Sequence, residues 1–451
     1  MSRGAGAADG NSWGIFCITN QCSITLDPPI GRFGIDAVRK CAAAPLYLYR
    51  LEGVWKVSTS TGSSKGGLEG VVAGTSSICE VDGINGKLSY RGIDIHELAA
   101  NSTFEETAYL LWNGQLPTGV QLRELQGQLS CCRDLPHGVL RMIIDFPETA
   151  EPMMVLRTAV SALSMFDPGG TEHHHDMDLS RAILLTSRVP TIIAAHHRAR
   201  QKLDPIPPKH SLGTASNFLY MLTGVVPSDH MSSTLDKCLI LHADHELNAS
   251  TFAGRVAAAT LSDLYSSVTA AIGTLAGPLH GGANEQVMNM LRRIGDPAKA
   301  EEYVANLLAE GDKVPGFGHR VYRTQDPRAF ELKKMAEAMG RETGETRWYE
   351  MSQRIEQFMM LEKGINANVD FYSASVYYGM GIPVDIFTPV FAVSRIAGWT
   401  AHILEQYENN RLIRPRADYT GLRNVPYVPI ENRAGVDVQG GPRVMDEVSK
   451  V

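Results

Sequence analysis

The sequence predicts a mainly α fold, and three observations carry that prediction. Apolar residues recur at helical spacing in most segments from Ile95 onward. Strand-like alternation is scarce after one early hairpin. Residues 256–276 form a stretch rich in Ala, Val, Leu and Ser with hardly a charge, the pattern of a central helix buried on most sides.

Taken in order, residues 1–57 mix Gly, Ala, Pro, Cys and Trp with no sustained period. They lead into Ser58-Thr-Ser-Thr-Gly-Ser-Ser-Lys-Gly-Gly67, a flexible-linker composition with too little apolar surface to order itself. Residues 1–67 therefore read as a disordered extension or as non-native sequence ahead of the true start. Cys79-Glu-Val-Asp-Gly-Ile-Asn-Gly-Lys-Leu-Ser-Tyr-Arg91 alternates apolar with polar around Gly-Ile-Asn-Gly, which predicts a short β-hairpin. Leu98, Phe104, Ala108, Leu111 and Leu116 are spaced for one buried helical face, and Leu122 to Leu129 repeats it. Leu212 to Gly224, Arg255 to Gly277 and Thr388 to Gln406 are further helix candidates. No internal repeat is evident.

A length of 451 residues suggests two or three domains, with ample core and no need of a disulfide or metal staple. The formal net charge of -7 argues against a general nucleic-acid binder, although a few placed arginines can still hold a small anion. The 7 cysteines form no CxxC pair, which fits neither a disulfide framework nor a zinc ribbon and suggests a reducing, cytosolic compartment. No apolar run reaches the length of a membrane span, and the N-terminus lacks the order of a signal peptide.

Four segments have the chemistry of a site. In His242-Ala-Asp244-His245-Glu246, histidines at i and i+3 could share a metal, but the spacing is not HExxH and a structural role is the ordinary reading. In Gly277-Pro-Leu-His280-Gly-Gly-Ala-Asn284, Pro and paired Gly expose a histidine at a turn. A helix starting near Ala283 would favour its neutral imidazole, able to donate to a developing enolate; a plain helix corner is the alternative. Val314-Pro-Gly316-Phe-Gly318-His319-Arg320-Val-Tyr-Arg323-Thr-Gln-Asp326-Pro-Arg328 puts a Gly-x-Gly turn and three arginines around a histidine, suited to phosphate or carboxylate but lacking a Walker A ending. In Asn368-Val-Asp370-Phe, an Asp between apolar neighbours is a candidate raised-pKa base, with a helix N-cap as the alternative. Arg395 lies inside an apolar helix and should meet a buried anion. His173-His174-His175 reads as an exposed loop, and His196-His197 as structural or surface-placed.

Together these segments resemble the citrate synthase family, from Leu68 to about Asn432. Gly316-Phe-Gly-His-Arg-Val-Tyr-Arg-Thr-Gln-Asp-Pro-Arg328 matches the family's signature, and His-Ala-Asp-His-Glu, Gly-Pro-x-His-Gly-Gly-Ala-Asn and Asn-Val-Asp follow in the expected order. The resemblance implies the compact dimeric form rather than the larger NADH-controlled hexamer. It implies a multi-helical fold with a large domain (68–280 and 378–451, the latter with a C-terminal arm) and a small one (281–377) closing over a cleft. The reaction implied is condensation of acetyl-CoA with oxaloacetate, then hydrolysis of citryl-CoA to citrate and CoA. Asp370 would remove the methyl proton, His280 would stabilise the enol, and His319 would polarise the keto group. His245, His319, Arg328, Arg395 and Arg414 would hold oxaloacetate, Arg414 coming from the partner subunit of a homodimer. CoA would lie along Val314, Gly316, Gly318 and Arg320, with Arg323 and Asn368 nearby. No cofactor, metal, nucleic acid or membrane is implied, and the location would be cytoplasmic.

The nearest rival is 2-methylcitrate synthase, which uses propionyl-CoA. The sequence leans away from it where Arg320 follows His319 rather than Pro, where Phe-Tyr follows Asp370 rather than Trp-Phe, and at Arg416. A metal hydrolase built on His242, His245 and His280 would lose activity with EDTA. A silent scaffold that only binds CoA leaves the intact catalytic segments unexplained.

Overall fold

The computed structural model describes residues 70–169 and 172–430, with the backbone of five short segments between Gly14 and Leu68. The first 75 residues are a unit of their own. There β1 (Gly14–Phe16) pairs antiparallel with β2 (Ser23–Thr25), and β3 (Leu46–Leu51) with β4 (Val54–Thr59). The extension expected over residues 1–67 otherwise lies outside the described residues.

The second unit begins at Ser76 and opens with the predicted hairpin. β5 (Cys79–Asp82) pairs with β6 (Lys87–Tyr90), and β6 with the short β7 (Ile93–Asp94). Alternation turns Leu88 and Tyr90 inward, and both are fully buried. The Asp82 carboxylate accepts the N–H groups of Ile84 and Asn85, both at 3.0 Å, and so closes the turn.

Sixteen α-helices follow among the described residues. They are α1 (Ile95–Asn101), α2 (Phe104–Asn113), α3 (Gly119–Cys131), α4 (His137–Ile144), α5 (Pro152–Leu163), α6 (His175–Ala199), α7 (Thr214–Thr223) and α8 (Asp229–His242). Next come α9 (Ala249–Ala258), α10 (Leu264–Leu275), α11 (Ala283–Ile294), α12 (Ala300–Glu310), α13 (Pro327–Thr343), α14 (Arg347–Lys363), α15 (Val369–Gly379) and α16 (Phe387–Glu408).

Two sequence expectations need correction. The face drawn from Leu98 to Leu116 belongs to α1 and α2, split at Thr103, whose side chain and that of Glu106 form a capping box; Leu116 lies beyond the helix and is exposed. The segment from Arg255 to Gly277 is two helices, because the Asp263 carboxylate accepts the Ser266 N–H at 2.9 Å and starts α10 afresh. The helix buried on nearly every side is instead α16, which packs on α2, α6, α8, α9 and α10 and holds the buried Trp399 and Arg395. Helices α11 to α15 pack chiefly on one another and meet the rest through α1, α8 and α16. Beyond α16, residues 409–430 run without regular structure, exposing Leu412, Tyr419, Leu422, Val425 and Ile430. No helix among the described residues is long and apolar enough to cross a membrane. Cys79, Cys131, Cys132 and Cys238 are free.

Candidate active site

The end of α8 and the loop before α13 bring two histidines together. His245 is buried, and its ring meets that of His319 edge-on with centroids 5.2 Å apart. Its Nε2 lies 3.2 Å from the Tyr322 hydroxyl. His319 Nδ1 accepts the backbone N–H groups of Val321 (3.0 Å) and Tyr322 (3.1 Å), so the neutral ring carries its proton on Nε2. Burial, then the Arg328 charge, lowers its pKa to about 4. Burial with the Arg328 charge also holds His245 well below the ordinary histidine range. Both rings are neutral at pH 7.

Two buried guanidiniums face this pair. Arg328, in the first turn of α13, is held by Asp326 through Nε (3.0 Å) and Nη2 (2.8 Å). Asp326 also caps α13 by accepting the Arg328 N–H (3.0 Å), and it accepts the Val369 N–H (3.2 Å) at the start of α15. One carboxylate therefore sets an arginine and the helix that carries Asp370. Asp326→Ala should leave Arg328 buried and unpaired at a cost of about 3–5 kcal/mol. A denaturant midpoint equal to that of wild type would contradict this. Arg395 donates from Nε to the His242 carbonyl (2.7 Å) and lies over the Phe391 ring, 4.6 Å from its centroid. Burial lowers the Arg395 pKa and the charge of Asp244 opposes that lowering, although the ion pair Asp244 makes is with His402, 3.1 Å away.

His280 sits in the turn before α11, which starts at Ala283 as the sequence predicts. The Ser250 N–H donates to His280 Nε2 at 3.2 Å, which requires a lone pair there and places the proton on Nδ1. Ser250 is fixed in turn, because its Oγ accepts the Trp399 indole N–H (3.0 Å) and lies 2.8 Å from Asn248 Oδ1. Burial, with the Arg395 charge second, lowers the His280 pKa to about 4.

Asp370 occupies the second position of α15, and the N-cap is Asn368, whose Oδ1 accepts the Asp370 N–H at 3.0 Å. Burial raises the Asp370 pKa to about 6, against the opposing charge of Arg328. A carboxylate at that value is ionised at pH 7 yet basic enough to take a proton from carbon. The Gly316–Gly318 turn is tied to it: Gly316 accepts the Asn368 N–H (2.9 Å), and the Asn368 amide donates to the Gly318 carbonyl (2.9 Å). A Cβ on Gly316 would fall 2.8 Å from Val287 Cγ2 and 2.9 Å from Phe371 Cβ, so close approach dictates that glycine.

The charges of Arg328 and Arg395 both act on His245 and Asp370, that of Arg395 also acts on His280, and that of Arg328 on His319. The structure does not bring Arg414 to these groups within this chain, since that residue is exposed in the segment after α16. Of the residues expected along CoA, Arg320 and Arg323 are exposed at the loop surface. The Val314 side chain is buried in the core, and the Asn368 side chain is occupied by the contacts above. His242 is fully buried, with Nδ1 2.7 Å from the Cys238 carbonyl. Among the described residues, no group of three or more His, Cys, Asp or Glu side chains is arranged to hold a metal ion. His196 and His197 are buried, as a structural reading allows, whereas His173 departs from an exposed loop by packing on Tyr407, with ring centroids 4.4 Å apart. Sequence reasoning gave no part to Asp326, Ser250 or Trp399. Only Asp326 left a signal, as an Asp ahead of a Pro at the first position of a helix.

Fold and site define an enzyme that takes a proton from carbon beside a carbonyl and joins that carbon to an acceptor carrying carboxylates. The chain belongs to the citrate synthase family, whose model for the citrate synthase C-terminal domain matches residues 67–416. A relative named citrate synthase 2, from Bacillus subtilis, is 52% identical over 369 residues, covering 82% of this chain and 99% of its own. A solved structure titled as a ternary complex of carboxymethyl coenzyme A and oxaloacetate with citrate synthase, from Thermoplasma acidophilum, superposes with a TM-score of 0.78. It is 36% identical and covers 82% of this chain and 99% of its own. A relative named 2-methylcitrate synthase 1, from Corynebacterium glutamicum, is 41% identical over 372 residues, 81% of this chain and 98% of its own. The protein is an acyl-transferring enzyme that condenses acetyl-CoA with oxaloacetate and releases citrate and CoA, a reading the relatives favour over the propionyl-CoA reaction.

Proposed function

We propose that Asp370 is the base, His280 the donor to the enol and His319 the group that polarises the oxaloacetate keto oxygen. The observation that carries this is the pairing of a raised-pKa carboxylate with two neutral imidazoles whose free N–H is fixed by backbone donors. In this reading Asp370 takes a methyl proton from acetyl-CoA while His280 Nδ1–H donates to the thioester oxygen. The enol carbon attacks the keto carbon, and His319 Nε2–H supplies the proton to the new alkoxide. Hydrolysis of the thioester then frees CoA. No cofactor takes part; acetyl-CoA is a substrate. CoA lies along the 314–320 turn, with Arg320 and Arg323 at the surface for its anionic groups.

Oxaloacetate is a dianion, held by His245, His319, Arg328 and Arg395. Within one chain, Arg328 and Arg395 already face Asp326, Asp244 and Asp370, so the site lacks the positive charge that two further carboxylates need. The reading supplies it as Arg414 from a second copy in a homodimer, and the apolar residues exposed along 409–430 support a segment that packs on another chain. The division into a large domain and a small one (281–377), closing on substrate, is supported by the mutual packing of α11 to α15. A cytoplasmic location accords with the substrates.

Complementation tests the shared site. Arg414→Ala and Asp370→Ala proteins, each inactive alone, should regain thiol release from acetyl-CoA when unfolded and refolded together, because a mixed dimer contains one intact site. A refolded mixture as inactive as its parents would place Arg414 outside the partner's site.

A further inference from the structure

The β5–β6 hairpin meets residues beside both members of the histidine pair, Asp244 next to His245 and Val321 two residues after His319, and the reaction as described gives it no part. At its base, the buried Tyr90 hydroxyl lies 3.0 Å from the Asp244 carbonyl and accepts the Asp244 N–H at 3.2 Å, fixing the residue beside His245. At its turn, the Gly83 carbonyl accepts the Arg323 N–H at 2.8 Å. A Cβ on Gly83 would fall 2.3 Å from the Val321 carbonyl oxygen, a backbone atom that no rotamer change can move. Val321 and Tyr322 are the residues whose N–H groups hold His319 Nδ1. The turn is braced by Asp82, whose carboxylate also accepts the Asn85 side-chain amide at 2.6 Å.

We propose that this hairpin is a strut that sets the spacing of His245 and His319, and that Gly83 is a positioning residue for polarisation of the oxaloacetate keto group. The proposal rests on the role given to His319 above. Pushing Val321 away carries its N–H off Nδ1, and the ring loses the contacts that fix its tautomer and aim Nε2–H. Misplacement on this scale acts on the transition state, so the loss should fall on kcat.

The test uses the full chain with Gly83→Ala, Asp82→Ala and, as control, Ile84→Ala at a position 80% exposed. Thiol release gives kcat and the KM for acetyl-CoA. Infrared spectroscopy follows the keto carbonyl stretch of bound oxaloacetate, which a merely structural defect would leave in place. Expected are a kcat loss of about tenfold or more in Gly83→Ala and about threefold in Asp82→Ala. The acetyl-CoA KM should stay within about twofold, and the keto stretch should rise in frequency as polarisation is lost. The Ile84→Ala control should match wild type. Wild-type kcat in a folded Gly83→Ala, or a loss with the stretch unmoved, overturns the strut. Should Gly83→Ala not fold, Asp82→Ala decides by the same stretch, a shift supporting the strut and its absence overturning it. Failure of the wild-type protein to release thiol would overturn the function itself, whereas an active wild type with an indifferent Gly83→Ala overturns the strut alone.

Discussion

Asp370→Ala should lower kcat by about a thousandfold or more while oxaloacetate binding stays largely intact. The base is the group for which no neighbour substitutes: His280 and His319 are held neutral with their free N–H pointing outward from backbone donors, so each is set up to give a proton rather than take one from carbon. General bases contribute about 10²–10⁴ in rate, and here the group is aligned by its own helix, with the Asn368 cap holding the Asp370 N–H. Binding should survive because, in the proposed reading, the oxaloacetate contacts run through His245, His319, Arg328 and Arg395. Thiol release and calorimetric titration with oxaloacetate read the two effects separately. Turnover within about tenfold of wild type would remove Asp370 from the role of base.

His280→Ala should cost about 10²–10³ in kcat, the effect of removing one donor to a developing oxyanion. The ring is anchored on one edge only. Ser250 holds Nε2 through its N–H and, at 2.8 Å, its hydroxyl, and Trp399 and Asn248 hold Ser250, which leaves Nδ1–H as the ring donor to the cleft. The loss should therefore appear in kcat with little change in the KM for oxaloacetate, whose proposed cradle is His245 and the arginines. An equal rise in KM and unchanged kcat would show that His280 serves ground-state binding instead.

Much of this was legible in the sequence, for identifiable reasons. The Gly-Ile-Asn-Gly turn and its alternation give the hairpin, and the paired glycines ahead of Ala283 give the start of α11, because both signals are local. The overrun from Arg255 to Gly277 arose because apolar period continues across Ala259–Asp263, while the cap that divides it is one side chain. Arg395 and His402 break the apolar pattern of α16 and conceal how deeply it is buried; their partners come from segments about 150 residues away, which periodicity cannot see. The same limit hid Ser250, whose backbone N–H and hydroxyl both meet His280 Nε2, and Asp326, whose Val369 contact joins two helices. The residues proposed for CoA lie mostly on the loop before α13, which carries no period to read.

The most direct test of the central claim is the pH dependence of kcat/KM for acetyl-CoA at saturating oxaloacetate. Asp370 works only as the carboxylate, so with a pKa raised to about 6 the rate should fall below that pH with unit slope. Above it the profile should run flat through neutrality, because His280 and His319, lowered to about 4, are already neutral there. A limb at about pH 7 or higher, or full activity persisting about a unit below the Asp370 value, would contradict the assignment.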